Sequence, residues 1–157
     1  MDTKYIEPFI EATINIFKEF YGEEPILKTP FLFDKNEDLG WDLSAVIGIA
    51  GETKGVITLS FPKDLIIKLT EKLVGYPIED LDDDVVDSTG EVVNIIAGNA
   101  KKGLEQFRLV ISLPSIVKGN NHKIAWPTNH NMPIISIPFE TSMGLFHVSV
   151  GLENIIK

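Results

Sequence analysis

The stretch from about Leu81 to Phe107 constrains this chain more than any other, because its apolar residues recur with the period of an α-helix. On a wheel of 3.6 residues per turn, Val85, Val86, Thr89, Val92, Val93, Ile96, Ala97, Ala100, Leu104 and Phe107 share one broad face. Asp84, Asp87, Ser88, Glu91, Asn94, Gly98, Lys102 and Glu105 share the opposite one. Acids at the start (Asp82, Asp83, Asp84, Asp87), with Lys101 and Lys102 towards the end, match the polarity of the helix dipole. Such a helix must lay its apolar face on another layer of the protein, so the rest of the fold is organised around it. Glu91 and Asn94 are three apart and point together away from that layer. Ile95 interrupts the polar face beside them. A solvent-facing Ile flanked by a carboxylate and a carboxamide predicts a small docking surface.

The elements before it are legible in order. Tyr5, Ile6, Phe9, Ile10, Thr13, Ile16, Phe17 and Phe20 predict an amphipathic helix from Thr3 to Tyr21, with Pro8 tolerated in its first turns. Gly22 ends it and Pro25 prevents resumption. Ile26 to Phe33 reads as a weak edge strand, since Pro30 has no amide to donate, and a polar turn spans Asp34 to Gly40. Leu43 to Ala50 and Gly55 to Phe61 form a hairpin, and Pro62 opens a second helix to Val74. After Arg108, short β-rich segments at Leu109 to Ser112, Ser115 to Lys118, His122 to Trp126, Met132 to Phe139 and Leu145 to Leu152 alternate with Pro, Gly and Asn turns. The expected architecture is α+β: a single largely antiparallel β-sheet with two long helices packed on one face. Residues 1–157 are expected to form one domain.

Composition removes several functions. A net charge of −9 opposes binding to a nucleic-acid backbone or an anionic membrane surface. With no cysteine there are no disulfides, thiolate metal sites or Cys nucleophiles. No apolar run reaches the ~20 residues of a membrane span, and the N-terminus has no basic-then-apolar signal pattern, so the expected address is cytoplasmic. Gly-rich phosphate loops, dinucleotide fingerprints and nucleophile elbows are missing. His122, His130 and His147 lack metal-ligand spacing and read as turn or sheet-surface residues. The acids near Asp82 lack the glycine of a calcium loop and read as helix-start residues. Trp41 and Trp126 read as packing or loop anchors.

Glu91 and Asn94 remain. By spacing alone a solvated helix face explains them, since Glu-x-x-Asn is a weak pattern. Gly90 and Gly98 bracket the pair, each costing ~1 kcal/mol of helix propensity relative to Ala, and Ala97, Ala100 and Gly103 add small residues. Close approach of another backbone accounts for that density, and internal helix packing accounts for part of it. Neither Glu nor Asn is a good nucleophile, and no third group completes a triad. A pair of this kind would complete a site on another molecule.

The octet Glu91-Val92-Val93-Asn94-Ile95-Ile96-Ala97-Gly98 resembles the Glu-x-x-Asn-x-x-x-Gly signature of the CheC/CheX/FliY phosphatases of chemotaxis. The likeness extends through Val46-Ile47-Gly48-Ile49-Ala50-Gly51, Gly55 to Phe61, Leu81-Asp82-Asp83 and Leu113-Pro114-Ser115-Ile116-Val117-Lys118-Gly119. One signature helix, where CheC has two, favours the CheX branch. Val93 departs from the Gly that many relatives carry before the signature Asn, and the wheel turns it to the core.

The resemblance implies a protein-aspartate phosphatase acting on a phosphorylated CheY-like receiver domain. Asn94 would position the attacking water and Glu91 would pair with the receiver's active-site lysine. The docking face would comprise Glu91, Asn94, Ile95, Gly98 and Lys102. This chain would bind no cofactor of its own, because the Mg2+ sits in the receiver's active site. A homodimer joined at sheet edges, around Ser115 to Trp126, is also implied. The alternative is a non-catalytic dimeric adaptor that engages a receiver without hydrolysing its phosphate.

Overall fold

The computed structural model describes residues 4–33, 40–124 and 132–153. Its elements in chain order are α1 (Glu7–Tyr21), β1 (Ile26–Leu27), β2 (Phe31–Leu32), β3 (Trp41–Ala50), β4 (Gly55–Phe61), α2 (Lys63–Val74) and α3 (Asp83–Lys102). A 3-10 turn (Glu105–Phe107), β5 (Val110–Ile111), β6 (Ser115–His122), β7 (Ile135–Thr141) and β8 (Gly144–Leu152) complete it. The central sheet order is β1-β7-β8-β4-β3-β5, with β2 also on β7 and β6 also on β3. Every pairing among the described residues is antiparallel. The α+β architecture read from the sequence is therefore the one found.

The predicted edge strand at Ile26–Phe33 is two short pieces, both paired to β7, with the break at the Pro30 side as a missing donor demands. Likewise β5 and β6 are two parts of one edge along β3, interrupted at Ser112–Pro114. The first helix begins at Glu7, not near Thr3, with Pro8 in its first turn. Its end is the expected one: Gly22 takes a left-handed φ of 63° and donates to Lys18, while Glu23 N–H reaches the Phe17 carbonyl. Thr3, most of the predicted turn at Asp34–Gly40, Trp126 and His130 lie outside the described residues.

Alternation decides which sheet face the helices cover. Leu43, Ala45, Ile47 and Ile49 of β3, Ile57, Leu59 and Phe61 of β4, and Phe146, Val148 and Val150 of β8 all join the core. Against them lie Phe9, Ile16 and Phe17 of α1, Leu65, Ile66 and Leu69 of α2, and Val85, Val92, Val93 and Ile96 of α3. At the centre the rings of Phe17 and Phe146 stack at 4.4 Å, flanked by Phe61 and Phe139, each 5.2 Å from Phe146.

The other face is polar yet buried at its centre. Ser44 and Ser60 share a hydrogen bond of 2.8 Å, and Ser136 and Ser149 share one of 3.2 Å. His147 lies beside them under Phe31 and Trp41, 4.8 Å from the indole, so Trp41 is the packing anchor expected of it. Burial pushes the His147 imidazolium down to about 4 from 6.5. Between those values the unfolded chain holds a proton that the folded one does not, so stability falls as pH drops from about 6.5 to about 4. Replacing His147 by Gln should flatten that part of the curve, measured as urea midpoint against pH; an unchanged slope would remove His147 as its source.

Two carboxylates that sequence periodicity does not single out lock the frame. Asp42 accepts from the amide of Lys63 at 2.7 Å, capping α2, and from that of Asn121 at 3.0 Å, holding the end of β6. Glu23 accepts from the Ser142 amide at 2.6 Å and from Lys72 Nζ at 3.4 Å, tying α1 to the β7–β8 turn and α2. These amide hydrogen bonds, more than the nearby cations, hold both carboxyls below their ordinary values.

Candidate functional site

Helix α3 positions the predicted pair. Asp82 caps it, its carboxylate accepting from the Val85 amide at 3.1 Å, and Asp83, Asp84, Lys101 and Lys102 occupy the turns the dipole favours. Val85, Val92, Val93, Ile96, Ala97 and Ala100 are buried against α1 and the sheet. With Val92 and Val93 each fully inside, Glu91 and Asn94 on either side of them are held outward, and both are exposed. The wheel's placement of Val93 in the core is the one the structure shows.

The remaining face residues divide. Lys102 is exposed at the helix end. Gly98 is half-buried, yet a Cβ built there would meet nothing within 4 Å, so the chain's own packing does not require glycine at that position. Ile95, expected to face solvent, is instead half-buried and packs on the core. It lies three residues beyond Val92, at the margin of the apolar stripe, and leans inward from there. The exposed face around Glu91 and Asn94 is thus more polar than the sequence suggests.

Gly90 borders β6: a Cβ there would stand 3.6 Å from Pro114 Cγ and 3.8 Å from Ile116 Cδ1. The glycine bracket therefore has two origins, with Gly90 set against the chain's own edge strand and Gly98 open. Among the described residues no nucleophile with an adjoining base accompanies Glu91 and Asn94. Among the described residues no three His, Asp or Glu side chains come together as metal ligands. His122 bonds Ser44 Oγ through Nε2 at 2.8 Å and the Gly119 carbonyl through Nδ1 at 2.8 Å, an arrangement that anchors the buried Ser44 rather than exposing a nucleophile. Among the described residues no helix is long and apolar enough to cross a membrane.

An antiparallel sheet covered on one face by helices is shared with known proteins. A CheC-like superfamily protein from Shewanella sp. PV-4 superposes with a TM-score of 0.88 at 30% identity, over 98% of this chain and 99% of that one. The fold is that of the CheC-like proteins. The family model described as chemotaxis phosphatase CheX matches residues 43–140, and the chain belongs to that family. Its relatives include the CheY-P phosphatase CheX of Thermotoga maritima, 27% identical over 127 residues, covering 79% of this chain and 81% of the relative. They also include the CheX of a CheX–CheY–BeF3–Mg2+ complex from Borrelia burgdorferi, with a TM-score of 0.79 at 26% identity over 95% of this chain and 97% of that one.

Proposed function

We propose that this chain hydrolyses the aspartyl phosphate of a CheY-like receiver domain, with Asn94 positioning the attacking water and Glu91 pairing with the receiver's active-site lysine. The observation that carries this reading is the outward, adjacent placement of Glu91 and Asn94 on a helix whose register is locked by the buried Val92 and Val93. The Thermotoga relative named as a CheY-P phosphatase and the Borrelia CheX–CheY complex support the substrate class. Hydrolysis of an acyl phosphate needs an oriented water and compensated charge more than it needs a nucleophile from the enzyme. The carboxamide of Asn94 supplies orientation, and the carboxylate of Glu91 fixes the helix over the receiver by a charge-assisted bond. The Mg2+ belongs to the receiver. Gly98 and Lys102 extend the same face, and the space beside Gly98 admits a close backbone approach.

Turnover separates this reading from a binding adaptor. Substoichiometric protein should clear the aspartyl phosphate from a CheY-like receiver labelled with acetyl phosphate, and binding of the receiver with no acceleration of phosphate loss would establish the adaptor. In the same assay Glu91→Ala should raise the Kd for the receiver roughly tenfold, as loss of a charge-assisted contact predicts. Unchanged affinity would remove Glu91 from the contact.

The chain also pairs with a second copy through the outer edge of β6, whose residues from Val117 to Asn121 are exposed. Light scattering at micromolar concentration should return twice the 17.5 kDa chain mass. A monomer mass would discard the edge pairing.

A further inference from the structure

We infer that Leu113 is an apolar contact for the phosphorylated receiver, set level with Asn94 by the break in the edge strand. The inference rests on the reading of Glu91 and Asn94 above and extends the docking face off the helix.

Leu113 is 87% exposed, more than any other exposed large apolar residue described. A single exposed leucine is ordinary on a protein surface, so what gives Leu113 meaning is where the fold holds it. Its position is fixed, not frayed. Ser112 N–H donates to the Gly48 carbonyl at 2.9 Å, Gly48 N–H donates to Ser112 Oγ at 2.9 Å, and Ser112 Oγ–H donates to the Leu113 carbonyl at 2.9 Å. Pro114 then has no amide for the ladder, so the strand leaves β3 at Leu113 and rejoins at Ser115, opposite Val46.

The break faces the signature helix. Pro114 and Ile116 flank Gly90, while Lys118 Nζ donates to the Leu81 carbonyl at 3.3 Å, so the strand runs antiparallel to α3. Stepping back from Pro114 to Leu113 moves about 3.3 Å towards the C-terminal end of α3, or about two residues of helix rise. Asn94 lies one turn beyond Gly90 on the same side of the helix, and helical side chains lean back towards the N-terminus. Leu113 therefore stands level with Asn94 along the helix, at the rim of the same face. A receiver that admits Asn94 to its active site must pass its rim over Leu113. Burial of that side chain then adds affinity without touching the reacting atoms.

The test uses the full chain and CheY-like receivers from the same genome, phosphorylated with acetyl phosphate. Leu113→Ser should raise KM for the phosphorylated receiver on the order of tenfold while leaving kcat near the wild-type value. Leu113→Met should restore KM, which loss of a merely structural leucine would not predict. Wild-type turnover combined with an unchanged KM for Leu113→Ser would overturn the contact alone. A wild-type chain that leaves every receiver phosphorylated would overturn the phosphatase reading and this inference together. A halved solution mass for Leu113→Ser with KM unchanged would assign the leucine to a contact between copies and overturn the receiver contact.

Discussion

Asn94→Ala should cost this protein all but a small fraction of its receiver phosphatase activity, on the order of a hundred- to a thousandfold, while receiver binding stays within a few-fold of wild type. A factor of that size corresponds to about 3–4 kcal/mol at the transition state, within reach of one well-placed polar group. The expected split between binding and rate follows from where Asn94 sits. It is exposed, so the free protein loses no packing when the carboxamide is removed. It stands between the buried Val93 and the half-buried Ile95, so the backbone of α3 has no reason to move. In the proposed mechanism only water orientation is lost, and water orientation matters in the transition state far more than in the resting complex. The measurement is the rate of aspartyl-phosphate loss with receiver in single turnover, alongside the affinity of the same variant. A wild-type rate for Asn94→Ala would end the proposed mechanism. Equal losses in binding and rate would recast Asn94 as a docking residue.

The register of α3 was legible because a long helix repeats its signal many times. Val85, Thr89, Val92, Val93, Ile96 and Ala100 each report the same face, and all are buried. That repetition alone sets Glu91 and Asn94 outward. Ile95 went astray because it is one residue at the margin of the stripe, where the wheel gives an angle but not the direction in which a side chain leans. The β3–β4 hairpin was equally plain, since two β-rich runs flank a short polar turn.

Pairings distant in sequence were not legible. Nothing in Ile26–Phe33 announces that both its halves join β7, more than a hundred residues later. Nor does Asp42 announce its bonds to Lys63 and Asn121. A lone carboxylate has no periodicity, and its partners are backbone amides whose positions depend on the finished fold. The same holds for Leu113. The Leu-Pro-Ser run was visible as a motif, but the approach of Pro114 to Gly90 exists only once β6 has packed beside α3.

The largest expected effect on stability comes from the aromatic centre, and it tests whether frame and site can be separated. Phe146 is fully buried and lies against three other rings, those of Phe17, Phe61 and Phe139. Phe146→Ala removes those contacts and leaves a cavity under α1, at a cost of about 3–5 kcal/mol. In a chain of this length the melting temperature should fall by roughly 6–20 °C. Activity measured well below the new midpoint should nevertheless stay near wild type. Glu91 and Asn94 depend on the register of α3, which Val92, Val93 and Ile96 hold through their own burial. Circular dichroism melting and the phosphatase assay on one preparation decide both halves. An unchanged melting temperature would mean that the ring stack contributes little to the core. Lost activity in a variant that is still folded would mean that α3 takes its register from the stack as well as from its own apolar face.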